Sequence, residues 1–146
     1  MIDKADADEF VQKGQLRVWA AFEVMASQEE IASDSLKKHI EKLETDGRVK
    51  LYKKQFSDVK QVEKPLPNLK TGFSYICEVE FVVKDLEDLI KLVVEYGPSS
   101  IEIVEPAEMK LNITQTQSIL NFISAMMHRF AAAGMGGIVI AGQGRK

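Results

Sequence analysis

One cysteine, two histidines, one tryptophan and four prolines in 146 residues exclude several chemistries before any pattern is read. The lone thiol, Cys77, cannot close an internal disulfide, and no paired cysteine spacing for zinc exists, which points to a reducing compartment. His39 and His128 stand alone, without a metal-ligand spacing, and read as helix-surface residues or partners of a helix dipole. No apolar run reaches the roughly 18 residues a membrane helix needs. The N-terminus, MIDKADADEF, is acidic and lacks the apolar stretch of a signal peptide. A cytoplasmic location is therefore expected, with no membrane partner. No nucleophile stands beside an obvious base, so the chain leans away from being an enzyme. The glycines gather in the tail AAAGMGGIVIAGQGRK, but not at the spacing of a phosphate loop or dinucleotide fingerprint. No cofactor is expected, and the tail reads as a helix stop with a flexible or strand-like end, or as a backbone anion cradle.

What is present begins with length and charge. A chain of 146 residues, 45% hydrophobic and 28% charged, suits one globular domain. The net charge of −3 conceals a polarity. Residues 47–71 hold Arg48, Lys50, Lys53, Lys54, Lys60, Lys64 and Lys70 against Asp58 and Glu63. Residues 78–108 hold nine acidic residues against Lys84 and Lys91. Such opposed patches are solvated faces in the simplest reading and head-to-tail contacts in a sharper one.

Residues 15–25, QLRVWAAFEVM, alternate with period two: Leu16, Val18, Ala20, Phe22 and Val24 share one side, while Arg17, Trp19 and Glu23 share the other, which predicts a strand. Ser27 and Glu30 form a capping-box pattern, and Ala32, Leu36, Ile40 and Leu43 follow at helical spacing until Gly47. A strand is predicted over 49–56. Pro65, Pro67 and Asn68 then leave 57–71 as an extended arm or long hairpin loop. Over 73–83, Tyr75, Cys77, Val79, Phe81 and Val83 face one way and Ile76, Glu78, Glu80 and Val82 the other. Asp85 opens a helix with Leu86, Leu89, Ile90, Val93 and Val94 on one stripe, closed by Gly97-Pro98. A strand over 100–104 follows. Thr114 with Gln117 reads as a second capping box, starting a long apolar helix that ends before Gly134.

The order β, α, β, β, α, β predicts an α+β fold, a ferredoxin-like sandwich over 15–105 with two helices on one face of a four-stranded sheet. The extra C-terminal apolar helix at 112–133 and the tail at 134–146 complete a single domain. The second sheet face should carry Trp19, Met25, Tyr52, Phe56, Ile76, Val82 and Val104, too much apolar area to leave open. The C-terminal helix or a second copy of the chain is expected to cover it, and a homo-oligomer, dimer or higher, is the working expectation.

Three constellations bear on function. Gly72, Phe73 and Tyr75 resemble the aromatic signature of RNA-recognition motifs, but in that family's register Glu78 and Glu80 would enter the core. The lysine-rich arm at 48–70 would suit an accessory subunit touching nucleic acid, against which the acidic balance of the chain argues. Glu23, Glu78, Glu80 and Glu102 share the open face with Arg17 and Lys50. Salt bridging is the plain reading; the sharper one is a divalent-metal or acid/base site with His128 brought over by the last helix.

Residues 96–108, YGPSSIEIVEPAE, resemble the C-terminal extension of WYL-domain transcriptional regulators, through Gly97-Pro98, the run Ile101 to Pro106, and Glu108. The resemblance implies a ligand-sensing or oligomerising module, and ACT-type regulatory domains share the topology. The functional expectation is accordingly a non-enzymatic binding or regulatory module taking a small molecule near Gly97 and Pro98, or over the open face at Trp19 and Arg17.

Overall fold

The computed structural model describes residues 1–67 and 69–134; the tail after Gly134, read above as a possible anion cradle, lies outside them. The elements run α1 (Lys4–Gln12), β1 (Leu16–Ala26), α2 (Glu29–Glu44), β2 (Val49–Phe56), β3 (Lys60–Leu66), β4 (Leu69–Val83), α3 (Leu86–Tyr96), β5 (Ser100–Glu105) and α4 (Ile113–Ala132). They form two compact units, Met1–Glu108 and Met109–Lys146. The first is a mixed α+β unit built on an antiparallel five-stranded sheet of order β2-β4-β1-β5, with β3 paired to the far half of β4.

The strand parity read from the sequence sets the core. Leu16, Val18, Ala20 and Phe22 of β1 share a buried cluster with Tyr75, Cys77, Val79, Phe81 and Val83 of β4, against Leu36, Ile40 and Leu43 of α2 and Leu89 and Leu92 of α3. Period-two alternation puts one side of each strand on the helices, and β1 and β4 pair in a register that keeps these sides together. Burial also governs the chemistry of Cys77, whose thiol is pushed up to about 11 and so stays protonated at neutral pH.

Four local expectations change. The arm expected at 57–71 carries β3 and the start of β4, which pair antiparallel with a register shift between Glu63 and Leu66, where Pro65 has no N–H to donate. Gln28, not Ser27, is the N-cap of α2 and makes no side-chain cap bond; Glu29 and Glu30 instead complement the helix dipole in the first turn. In the second unit, α4 is capped by Asn112 rather than Thr114. Asn112 accepts from the Gln115 N–H at 2.8 Å, and the Gln115 side chain accepts from the Asn112 N–H at 3.0 Å. Among the described residues no helix is long and apolar enough to cross a membrane.

The fourth change concerns the second sheet face. Residues 4–12, which the sequence reading leaves unassigned, form helix α1, capped by Asp3, whose carboxylate accepts from the Asp6 N–H at 2.9 Å. It lies against β1, β2 and β4. Ala7 on α1 and Val82 on β4 are both fully buried, so α1 supplies cover at one end of this face. Lys50 of β2 reaches up to the Phe10 ring, 4.6 Å from its centroid.

At the ends of the helices, His39 is not a free surface residue. Its ring lies between Phe22 and Tyr96, 5.5 Å from each centroid, and its Nε2 stands 2.7 Å from the Tyr96 carbonyl oxygen. A carbonyl can only accept, so Nε2 carries the proton and caps the C-terminus of α3. Nearby, the Tyr96 hydroxyl donates to Asp46 at 2.9 Å, and Arg48 bridges Asp46 and Glu95 at 2.7 and 2.6 Å.

The hydrogen bonds from Arg48 hold the Asp46 carboxyl well below the usual carboxylate range; burial opposes them and the Tyr96 hydroxyl reinforces them. A depressed folded-state pKa stabilises fully above the unfolded value of about 3.9 and is lost as pH falls through the folded one. Asp46→Asn should therefore cost about 2 kcal/mol at pH 7, and the gap from wild type should narrow as urea midpoints are followed from about pH 5 down toward about pH 2. An equal gap at both ends of that range would show that the charge of Asp46 contributes nothing.

Candidate functional site

The open face is organised by two pairings of β1. Trp19 stands opposite Glu80 on β4 and opposite Glu102 on β5, so the indole is flanked by a carboxylate position on each side. Directly opposed residues of an antiparallel ladder share a face. One step along, Ala21 pairs with Glu78, and Glu23 pairs with Ile76. The four glutamates thus share one face, as their parity predicts, but they are spread along it with Trp19 and Ala21 between them. Among the described residues no group of three His, Cys, Asp or Glu side chains is placed to hold a metal ion.

Each carboxylate has its own environment. Glu23 accepts from the buried Ser74 hydroxyl at 2.6 Å. Glu80 is bridged by Lys53 at 3.1 Å and receives the Tyr52 hydroxyl at 3.4 Å. The carboxylates of Glu78 and Glu102 make no hydrogen bond or ion pair among the described residues. His128 is exposed on α4, in the second unit.

A cleft of about 160 Å³ opens beside Trp19, lined also by Lys53, Gln55, Glu78, Val79 and Glu80. Lys53 and Gln55 reach it through a β-bulge. The β2–β4 register shifts between Leu51 and Lys53, which makes Tyr52 the extra residue and reverses the parity of everything after it. Phe56, expected on the open face, turns over to stack on Tyr75 at 5.5 Å and packs against the core. Simple alternation along VKLYKKQF carries no sign of this reversal.

A second cleft, about 320 Å³, adjoins the first at Glu80 and is lined by Lys4, Asp8, Arg17, Tyr52, Val104 and Glu105. Arg17 is buried there and each of its three nitrogens donates to a partner. Nε donates to Glu105 at 2.7 Å, Nη1 to the Tyr52 hydroxyl at 2.8 Å, and Nη2 to Asp8. Burial works against the cation, but these three hydrogen bonds outweigh it and hold the guanidinium charged beyond its ordinary range. Tyr52 stays a protonated donor: burial raises its pKa, the Arg17 bond opposes that and Glu80 reinforces it. Salt bridging on this face therefore runs through Asp8, Glu105 and Lys53, none of which the sequence reading names for it. Asp8 belongs to α1, whose cap signal at Asp3 was present in the sequence.

A match to the model of the MJ0538 family spans residues 17–142, taking in the sheet, α2, α3 and α4. The chain belongs to the MJ0538 family. Nothing matches it among curated proteins or among solved structures. In this family member, the matched span contains Trp19 and every residue lining its cleft, while α1 precedes it.

The other expected positions lie elsewhere. Gly97, at φ 57°, closes α3 in the left-handed conformation. Pro98 borders a gap of about 10 Å³ among Phe22, Leu92, Tyr96 and Ile101, less than one water needs. The basic stretch is largely engaged within the chain: Arg48 with Asp46 and Glu95, Lys50 with Gln15, Lys53 with Glu80, and Lys54 with Glu44 at 2.8 Å.

Proposed function

We propose that this MJ0538-family chain is a non-enzymatic binding or regulatory module that takes a small organic cation over Trp19. The observation behind this reading is the Trp19 cleft, where an indole sits beside Glu78 and Glu80 with Glu102 across β1. An aromatic face attracts an ammonium or guanidinium group through its quadrupole, and flanking carboxylates add to that attraction. Lys53 balances one of the lining carboxylates, leaving Glu78 and Glu102 as the free acceptors. Arg17 borders the neighbouring cleft as a positioning residue, since its three acceptors already occupy it.

The strand order supports a ferredoxin-like arrangement. Each βαβ crossover, β1-α2-β2 and β4-α3-β5, skips one strand of the sheet, which is the split βαβ pattern. Domains of this topology present one sheet face to the helices and the other to a ligand or partner. The fold alone does not choose a ligand; the residues around Trp19 do.

Trp19 is the only tryptophan, so fluorescence excited selectively at tryptophan, clear of the tyrosines, reports on this cleft alone. Titration with butylamine, putrescine or arginine methyl ester should produce a saturable change, and butyrate none. Glu78→Gln with Glu102→Gln should weaken the response about tenfold or more. Indifference of the fluorescence to every amine, or an unchanged affinity in the double variant, would remove the reading.

A further inference from the structure

We infer that α4 is a self-association helix, pairing with α4 of a second copy of this chain. The proposal stands on the spacing of its exposed apolar side chains. Ile113, Leu120 and Met127 fall seven residues apart, and Ile123 and Phe130 each follow three residues after a member of that series. With Thr116 included, the steps along the helix alternate three and four from 113 to 130. The apolar members are 82% (Ile113), 55% (Leu120), 42% (Ile123), 48% (Met127) and 36% (Phe130) exposed.

Alternating steps of three and four define a heptad seam, the pattern by which one helix packs along another. A seam of this kind is self-complementary, because each knob can enter a hole made by the same residues on a two-fold mate. The helix is 20 residues long, about 30 Å at 1.5 Å per residue. Side chains of this size, open to this extent, would bury on the order of 1,000 Å² across a pair, near the low end of a stable interface.

Charge selects the occupant. Between Ile113 and Ala132 there is no acidic residue, and His128 and Arg129 are the only groups that could be cationic. Both fall off the seam, so no like charges would oppose one another across it. Apart from these two, the polar side is uncharged, with Gln117, Ser118, Asn121 and Ser124. A helix that lies on a membrane carries Lys and Arg on that side, and a helix that binds nucleic acid needs the same. A second identical helix needs neither.

Sedimentation equilibrium of the full chain from about 5 to about 500 µM tests this, since mass action makes both mass and melting temperature depend on concentration for a dimer. Wild type should approach twice the chain mass of 16.4 kDa, and L120E/M127E should remain at the single mass with its far-UV circular dichroism intact. A wild-type chain of single mass at the top of the range would overturn the proposal. So would a folded L120E/M127E that still dimerises, which would transfer the interface to another surface such as the apolar groove between α3 and β5. If the double glutamate variant does not fold, L120A/M127A reads the same seam. A dissociation constant raised about a hundredfold supports the pairing, and an unchanged constant defeats it. None of these outcomes depends on the Trp19 ligand.

Discussion

Arg17→Ala should lower the unfolding free energy by about 3 kcal/mol, a large share of the stability of a chain this size. Removing one partner of a buried charge pair strands the others, and here one side chain serves three acceptors from α1, β2 and β5. Two of them, Asp8 and Glu105, have about half their side-chain surface in water, 46% and 52%, so their release costs less than that of fully enclosed groups. The effect therefore sits at the low end of the range for buried pairs. The rest comes from the aliphatic stem of Arg17, which packs where only 10% of the side chain is exposed. Arg17→Lys should recover less than half, because an ammonium cannot present the planar fork that spans three acceptors. The measurement is urea unfolding, paired with limited proteolysis of residues 1–15. A loss under about 1 kcal/mol would show that α1 is held by Ala7 and Phe10 rather than by Arg17.

Leu36→Ala should cost about 3 to 4 kcal/mol. Leu36 is wholly buried on the inner side of α2, in one cluster with Val18, Val79 and Val83, so the deleted methyl groups leave a cavity that well-packed neighbours fill only in part. Ile101→Ala is the control. Ile101 belongs to the edge strand β5 and is 39% exposed, so its loss should cost about 1 kcal/mol or less. Both are read from urea midpoints at constant m-value, which separates a stability change from a change in the denatured state. Equal costs at the two positions would mean that α2 does not form the main core contact.

How much of this was visible in the sequence follows from which interactions are local. The limits of β2, the Asp85 cap and Gly97 stop of α3, and the alternation of β1 and β4 all depend on neighbours within a turn or a pleat. The same parity placed Trp19, Glu23, Glu78, Glu80 and Glu102 on one face. It failed after Tyr52, because a bulge is defined by two residues opposing one on another strand, and the opposing strand lies more than 20 residues away in sequence. Helix α1 was signalled by Asp3 and by Ala7, Phe10 and Val11 at helical spacing, but nothing local says which surface a nine-residue amphipathic helix will choose.

The second sheet face shows the division most clearly. By itself the sequence determined that two faces exist and which residues belong to each along β1 and β4. Periodicity is a property of consecutive residues, so it survives without any knowledge of partners. Tertiary structure decided what lies there: α1 over Val82, Arg17 drawn to a glutamate 88 residues away, and Lys53 and Gln55 turned toward Trp19. Those outcomes depend on which distant groups can satisfy a buried charge or fill a void at once, and that is settled only when the whole sheet has formed.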